Sequence, residues 1–359
     1  MNVVQKLPVT PVTYEEAEAG GKEPIVTLIG ADLPQAYLDE AEPSPMMENL
    51  GHAWRRVIKA AKVLAVIMLV GGYPAATVMS HQVDDSQIVL SATDTWTSPE
   101  IGTALTLVGR ELTGAGIAAD RSDWHPQARL TALPAWQDSA FTALSEYTLA
   151  SADMTLDQDG RPDVDLAAAG RLLAPASDTK LEPRLHAAAE ALQRFDGRVS
   201  RELATAPSGF ETLHGRLDMF VHWTSTAQTD LRLRANTAEA WPAAKADVEA
   251  IYAARAKAHV AGQLLMATFL NEPGLIVSPD AAEAMDRTFA ALRRTSTFSP
   301  LIISSQSGTG KVLSDHPATM AFYLSEAEAA MIDLQAALEA QTISTEEVTV
   351  ASADDAATP

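Results

Sequence analysis

Val63-Leu64-Ala65-Val66-Ile67-Met68-Leu69-Val70-Gly71-Gly72-Tyr73-Pro74-Ala75-Ala76-Thr77-Val78-Met79-Ser80 is the stretch from which the rest of the chain is oriented. As a helix these residues would reach roughly 27 Å, close to the thickness of a bilayer's hydrocarbon core. Arg55, Arg56, Lys59 and Lys62 crowd the N-terminal side, and no Lys or Arg follows until Arg110, whereas His81, Asp84, Asp85, Asp94 and Glu100 do. The positive-inside rule then keeps residues 1–62 in the cytoplasm and exports everything beyond about residue 81. Trp54 before the run and Tyr73 near its far end suit the two interfaces. The competing reading is a buried core helix or strand, favoured by Gly71, Gly72 and Pro74, which are poor helix formers. Against it stands the one-sided charge, since Gly and Pro are tolerated inside membranes. A cleaved signal peptide fits less well, because the run begins some sixty residues into the chain.

Working outward, the chain has 359 residues and no cysteine, which excludes disulfides, iron–sulfur clusters and thiolate zinc sites. The net charge is −21. Residues 1–62 hold nine acidic and six basic side chains, so −18 falls on the remainder. Such a surface repels nucleic acid, and no basic patch with interleaved aromatics offsets it. Residues 1–48 combine six prolines with scattered carboxylates and are expected to be a disordered cytoplasmic tail. Residues 49–62 are expected to form a basic juxtamembrane helix, 63–80 the transmembrane helix, and 85–342 a periplasmic helical domain. Residues 343–359 read as a disordered acidic tail.

Helical periodicity dominates the exported part. Ser98-Pro99-Glu100 is a start signal, with Pro99 at the first helical position, and Gly114 or Gly116 is the stop. Trp136, Ala140, Phe141, Leu144 and Thr148 share one face of a helix over about 135–152, and Pro126 and Pro134 act as breakers before it. Asp163 caps a short helix ending near Leu173. Leu181, Leu185, Ala188, Leu192, Phe195, Val199 and Leu203 form a long apolar stripe opposed by Arg184, Glu190, Arg194, Arg198 and Arg201. Three further long helices run from about Leu213 to Leu231, Pro242 to Leu270 and 317 to 341, with a shorter one at about 280–294. The fold class is therefore mainly α: a single N-terminal transmembrane helix followed by an exported antiparallel helical bundle. Gln87–Ala92 and Phe298–Ser304 are the only β-like runs; they either pair or are loops.

Chemistry-bearing patterns are few. Ser307-Gly308-Thr309-Gly310-Lys311 fails the phosphate-loop template at Ser305 and Val312, so it reads as a Gly-rich turn and no nucleotide is expected. His214, Asp218 and His222 follow one helix face at four-residue spacing, a pattern compatible with metal ligation. The outer two lie about 12 Å apart along the axis, so only one pair at a time can share an ion. A third ligand must come from another helix, with His186 and His259 as candidates. Ser314-Asp315-His316-Pro317 clusters triad residue types, but neighbouring side chains diverge, and capping of the last helix is the simpler role. No catalytic or cofactor-binding residue emerges, and no cofactor is expected.

Tyr73-Pro74 followed by Met79-Ser80-His81-Gln82-Val83-Asp84-Asp85 resembles the opening of a bacterial family of envelope proteins, domain-of-unknown-function family 2333. Pro162–Leu173 and His316–Leu324 fit that family as well, so the resemblance covers about residues 55–340. The sequence departs from the family at Val83, where Ile is usual, and in its long acidic tail ahead of the anchor. What the resemblance implies is topology; it brings no catalytic residue.

Three functional classes follow. The leading one is a non-enzymatic single-pass inner-membrane protein whose periplasmic helical domain scaffolds or binds envelope proteins, or a second copy of itself, beside the lipid bilayer. The second is a transmembrane sensor using the cytoplasmic tail, with Ile25–Ile29 as a docking patch. The third is an envelope metal-dependent hydrolase centred on His214, Asp218 and His222.

Overall fold

The computed structural model describes residues 45–72, 83–89, 96–122, 125, 127, 130–156, 159–176, 179–235, 243–300, 303–309 and 314–356, without the side chains of 45–53, 69, 72, 307–309 and 344–356. The tail before residue 45, Tyr73, Pro74 and His81 lie outside these residues. The chain divides into two units, Met1–Val66 and Ile67–Pro359.

Helix α1 spans Pro45–Ile67, all but its last residue in the first unit. Every side chain described from Trp54 to Ile67 is exposed, including Val57, Val63, Leu64 and Val66. A π-type turn, Met68–Gly72, follows in the second unit. This differs from an uninterrupted helix over 63–80: among the described residues, no helix is long and apolar enough to cross a membrane. Gly71 and Gly72 are the physical reason the regular helix is given up here, since glycine costs about 1 kcal/mol relative to alanine in a helix. Residues 73–80 lie outside the described set.

The rest of the second unit is a helical bundle. Its helices are α2 (Pro99–Thr113), α3 (Ala132–Met154), α4 (Val164–Leu173), α5 (Leu181–Val199), α6 (Phe210–Ala235), α7 (Lys245–Asn271), α8 (Pro279–Ser296) and α9 (His316–Ala356). A two-stranded antiparallel hairpin, β1 (Ser305–Thr309) and β2 (Ser314–Asp315), precedes α9. Thus the Gly-rich stretch enters a strand, and the described residues of the 298–304 run are not in one. α7 runs through the middle, packing on α2, α3, α6 and α8; α9 packs on α6 and α8, and α4 on α3 and α5.

The apolar stripes account for this arrangement. Leu185, Ala188, Leu192 and Phe195 of α5, Leu213, Leu217 and Phe220 of α6, and Met331, Leu334 and Leu338 of α9 are wholly or almost wholly buried. Close approach needs glycine at one point. Gly170 of α4 lies against α3, where an added Cβ would sit 2.6 Å from Leu149 Cγ, and its carbonyl accepts from Ser145 Oγ at 2.7 Å.

Three boundaries differ from the periodicity. α5 stops at Val199, four residues early: Leu203 N–H bonds to the Arg198 carbonyl and Glu202 N–H to that of Val199, with Glu202 at φ +59°. That is a Schellman ending with a non-glycine in the left-handed position, and it turns Leu203 out to solvent. Pro134 is not a breaker but sits in the first turn of α3, where its missing N–H costs nothing. α9 continues to Ala356 where an unstructured tail was expected; no Gly or Pro interrupts the sequence between Pro317 and Pro359.

Candidate functional site

The polar concentration of the molecule lies on one stripe of α7. Arg255, His259 and Gln263 are spaced i, i+4, i+8, which stacks them along one helix face. All three are buried. Across this stripe runs an arm without regular secondary structure, Val83–Val89, which begins three residues after the apolar run. Asp85 Oδ2 accepts from Arg255 Nη2 at 2.8 Å, and Gln263 Oε1 accepts from the Ile88 N–H at 2.9 Å. From α2, Arg110 Nη1 donates to the Ser86 carbonyl at 2.6 Å and approaches Asp84 at 3.9 Å. Val83 and Ile88 add apolar contacts with the core. The arm is therefore held at both carboxylates and through its backbone.

Arg255 is 1% exposed, an unusual place for a guanidinium. Besides Asp85 it bonds to the Ser296 carbonyl at 2.9 Å and lies over the rings of Tyr252 and Trp136, at 4.7 and 5.7 Å. His259 stacks at a tilt on Trp136, 5.4 Å between centroids, and its Nε2 has no hydrogen-bond partner among the described residues. Burial pushes its pKa down to about 4; Arg110 and Arg255 act the same way, while Asp85 and Asp84 oppose them. The imidazole is therefore neutral at neutral pH.

Two spaces adjoin His259. The inner one holds about 10 Å³ and is bounded by Asp84, Arg110, Glu111, Trp136 and His259, among others. Burial raises the Glu111 carboxyl, partly offset by bonds from Gln137 Nε2 at 2.7 Å and Trp136 Nε1 at 3.0 Å. Asp84 moves the other way: partial burial works against its charge, but the Ser86 bonds and Arg110 outweigh this. Carboxyls driven apart in this manner are a pattern of acid–base sites. Size decides against it here, because 10 Å³ is about the room of one water and not of a substrate.

The outer space is a cleft of about 730 Å³ between α7, α8 and the arm. Asp85, Gln87 and Ile88 form the arm side, His259, Gln263 and Met266 the α7 side, and Asp286, Phe289 and Arg293 the α8 side. That volume is in the range of pockets that hold small ligands. Its hydroxyls are engaged: Ser296 Oγ and Thr297 Oγ1 both donate to the Arg293 carbonyl, at 3.1 and 2.8 Å. No nucleophile paired with a base lines it among the described residues.

The residues singled out as metal candidates are elsewhere. His214 lies 3.9 Å from Asp218 and 3.7 Å from Glu339, and Asp218 accepts from Gln335 Nε2 at 2.7 Å. The contacts with Glu339 and Gln335 tie α6 to α9 at the surface, and His222 is exposed. Neither His186 nor His259 joins them; among the described residues, no group of three or more His, Asp or Glu is placed to hold a metal ion. Asp315 caps α9, its Oδ1 accepting from the Ala318 N–H at 2.9 Å. His316 accepts the Ser304 N–H at Nδ1 (2.9 Å), which leaves its proton on Nε2 to be donated to Ser314 Oγ at 3.0 Å. In that tautomer the ring has no lone pair for the Ser314 proton, so the pair is structural. Of the residues expected to flank the membrane, Asp84 is exposed and approaches Arg110, Asp85 is half-buried and pairs with Arg255, and Arg55, Arg56, Lys59 and Lys62 are exposed on α1.

The model of DUF2333, described as an uncharacterized protein conserved in bacteria, matches residues 172–341. Over these residues the chain is similar to that family. The DUF2333 segment contains α5 to α8, most of α9, the α7 stripe and two of the three walls of the cleft. His316–Leu324 falls inside it, the Pro162–Leu173 stretch only touches its edge, and the arm lies outside. No curated protein and no solved structure matches the chain.

Proposed function

We propose that this protein is a single-pass inner-membrane protein of the bacterial envelope that works by binding rather than by catalysis. In this reading residues 63–80 anchor it, the N-terminal tail is cytoplasmic, and the helical domain of residues 85–342 is an antiparallel bundle presented in the periplasm. The observation that carries the reading is the cleft: about 730 Å³ of space walled by the very arm that follows the apolar run, with its hydroxyls engaged in structural bonds. The exposed apolar side chains of Val63, Leu64, Val66, Ile67 and Val70, next to four basic residues, support an association with lipid. Alkaline phosphatase and green fluorescent protein fusions after residue 45 and after residue 100 test the topology. Fluorescence at 45 and phosphatase activity at 100 are expected; fluorescence from the later fusion overturns it.

A second reading, a transmembrane sensor, is favoured by one observation. Asp85, Gln87 and Ile88 line the cleft and also continue the chain from residues 63–80, so an occupant of the cleft would touch the segment that leads to the anchor. Deleting residues 1–45 separates the two: a sensor loses its output, whereas a binding domain complements a knockout unchanged.

A further inference from the structure

The α8 wall of the cleft carries two charges that neither the fold nor the arm uses. Asp286, Phe289, Ala290 and Arg293 line the cleft at i, i+3, i+4 and i+7. Seven residues fall 20° short of two helical turns, so all four share one face. The charged ends, Asp286 and Arg293, are exposed, and among the described residues neither side chain makes an ion pair or hydrogen bond. Their neighbours on the helix do: Glu283 approaches Arg287 at 3.8 Å, and Arg294 binds Glu326 at 2.7 Å. An unpaired anion and an unpaired cation thus flank Phe289, with Met266 of α7 contributing a second apolar side chain to the cleft.

The spacing converts into a ligand length. Asp286 and Arg293 lie about 10.5 Å apart along the axis. An extended peptide advances about 3.3 Å per residue, so three residues separate an ammonium from a carboxylate by a matching distance. The arm shows how extended peptide is held on this face of α7, through the Ile88 N–H on Gln263. His259, 4% exposed and with Nε2 unpartnered, stands at the same wall as a neutral polar group.

We propose that the cleft is a binding site for a short unblocked peptide of about three residues. Its amino terminus meets Asp286, its carboxylate meets Arg293, and an apolar central side chain lies toward Phe289 and Met266. This deepens the binding reading given above and does not depend on the anchor. A single amino acid is too short to reach both charges, and a blocked peptide offers none.

The test is isothermal titration calorimetry on the full-length chain in detergent, with Ala-Leu-Ala as the probe. Saturable binding is expected, weakened about fivefold by Asp286→Asn and about fivefold by Arg293→Gln, as for partly exposed charge pairs. Glu283→Gln, on α8 but outside the cleft, should leave binding unchanged. N-acetyl-Ala-Leu-Ala-amide and free leucine should bind far more weakly than the tripeptide. Since both substituted residues are exposed, unchanged melting temperatures are expected and separate lost binding from lost folding. No heat with the tripeptide up to about 10 mM, or equal binding by the blocked form, overturns the proposal. So does insensitivity to both substitutions. A chain that passes the reporter-fusion test but fails here sinks this inference alone.

Discussion

The helix face bearing His214, Asp218 and His222 and the stripe bearing Arg255, His259 and Gln263 have the same spacing on neighbouring helices, yet opposite fates. The first lies at the surface and makes two ties to α9, from Glu339 and Gln335. The second is buried and binds the arm through a 2.8 Å ion pair and a 2.9 Å amide contact. Four-residue spacing only says that side chains share a face; which face turns inward is decided by what packs on it. Chemistry was suggested on α6 because a histidine, a carboxylate and a histidine are recognisable together. The α7 stripe gave no such signal, because its partners, Asp85 and Ile88, stand some 170 residues away in sequence.

If this contrast is right, substitutions on the two faces must behave differently, and the largest effect belongs to Arg255. Arg255→Ala removes the Asp85 pair, the bond to the Ser296 carbonyl and the stacking on Tyr252 and Trp136. A loss of about 3–5 kcal/mol is expected, the usual cost of breaking a buried pair. Urea unfolding followed by circular dichroism measures it, and a loss below about 1 kcal/mol would place Arg255 with the surface residues.

Next comes the pH dependence carried by His259. Its folded pKa of about 4 lies below the unfolded value near 6.5, so between these values the unfolded chain binds more protons. Stability therefore rises from pH 4 to 6.5 and is flat above that range, by on the order of 3 kcal/mol for a fully buried group. Glu111 acts with the opposite sign: its raised carboxyl loses stabilisation as pH climbs through its folded value. In His259→Gln the rise between pH 4 and 6.5 should flatten, read from urea midpoints at half-unit intervals. A slope identical to that of the wild type would mean that His259 is not titrating in a buried setting.

The smallest effect is expected on α6. His214→Gln and His222→Gln should change stability by less than about 0.5 kcal/mol, as ordinary surface substitutions do. Adding zinc or manganese should leave the melting temperature of the wild-type chain unmoved. A metal-induced rise that either substitution abolishes would restore the α6 face as a site.

What could be read from the sequence was local. Ser98-Pro99 begins α2, and Asp163 caps α4 by accepting from the Asp165 and Leu166 amides at 3.0 Å, because a cap and the amides it serves lie within three residues. Other helix starts depend on distant carboxylates. Asp120 accepts from the Leu181 and Glu182 amides at the head of α5, and Asp196 of α5 accepts from the Thr97 and Ser98 amides ahead of α2. No window of sequence contains both partners. The buried pair of Arg216 with Glu100, 3.1 Å apart, was invisible for the same reason. Leu203 shows the reverse error, where periodicity continued past a turn that Glu202 makes in a conformation usually left to glycine. For the cleft, the sequence supplied Asp85 but read it only as a charge flanking the apolar run.

The central claim is that the arm Val83–Val89 is a built part of the helical domain, held by Arg255, Arg110 and Gln263. Amide hydrogen exchange on the full-length chain tests it directly. The Ile88 N–H, bonded to Gln263, should exchange at least about tenfold more slowly than an unstructured amide, and Gln263→Ala should abolish that protection while leaving α7 protected. Exchange of Ile88 at the unstructured rate in the wild-type chain would contradict the account.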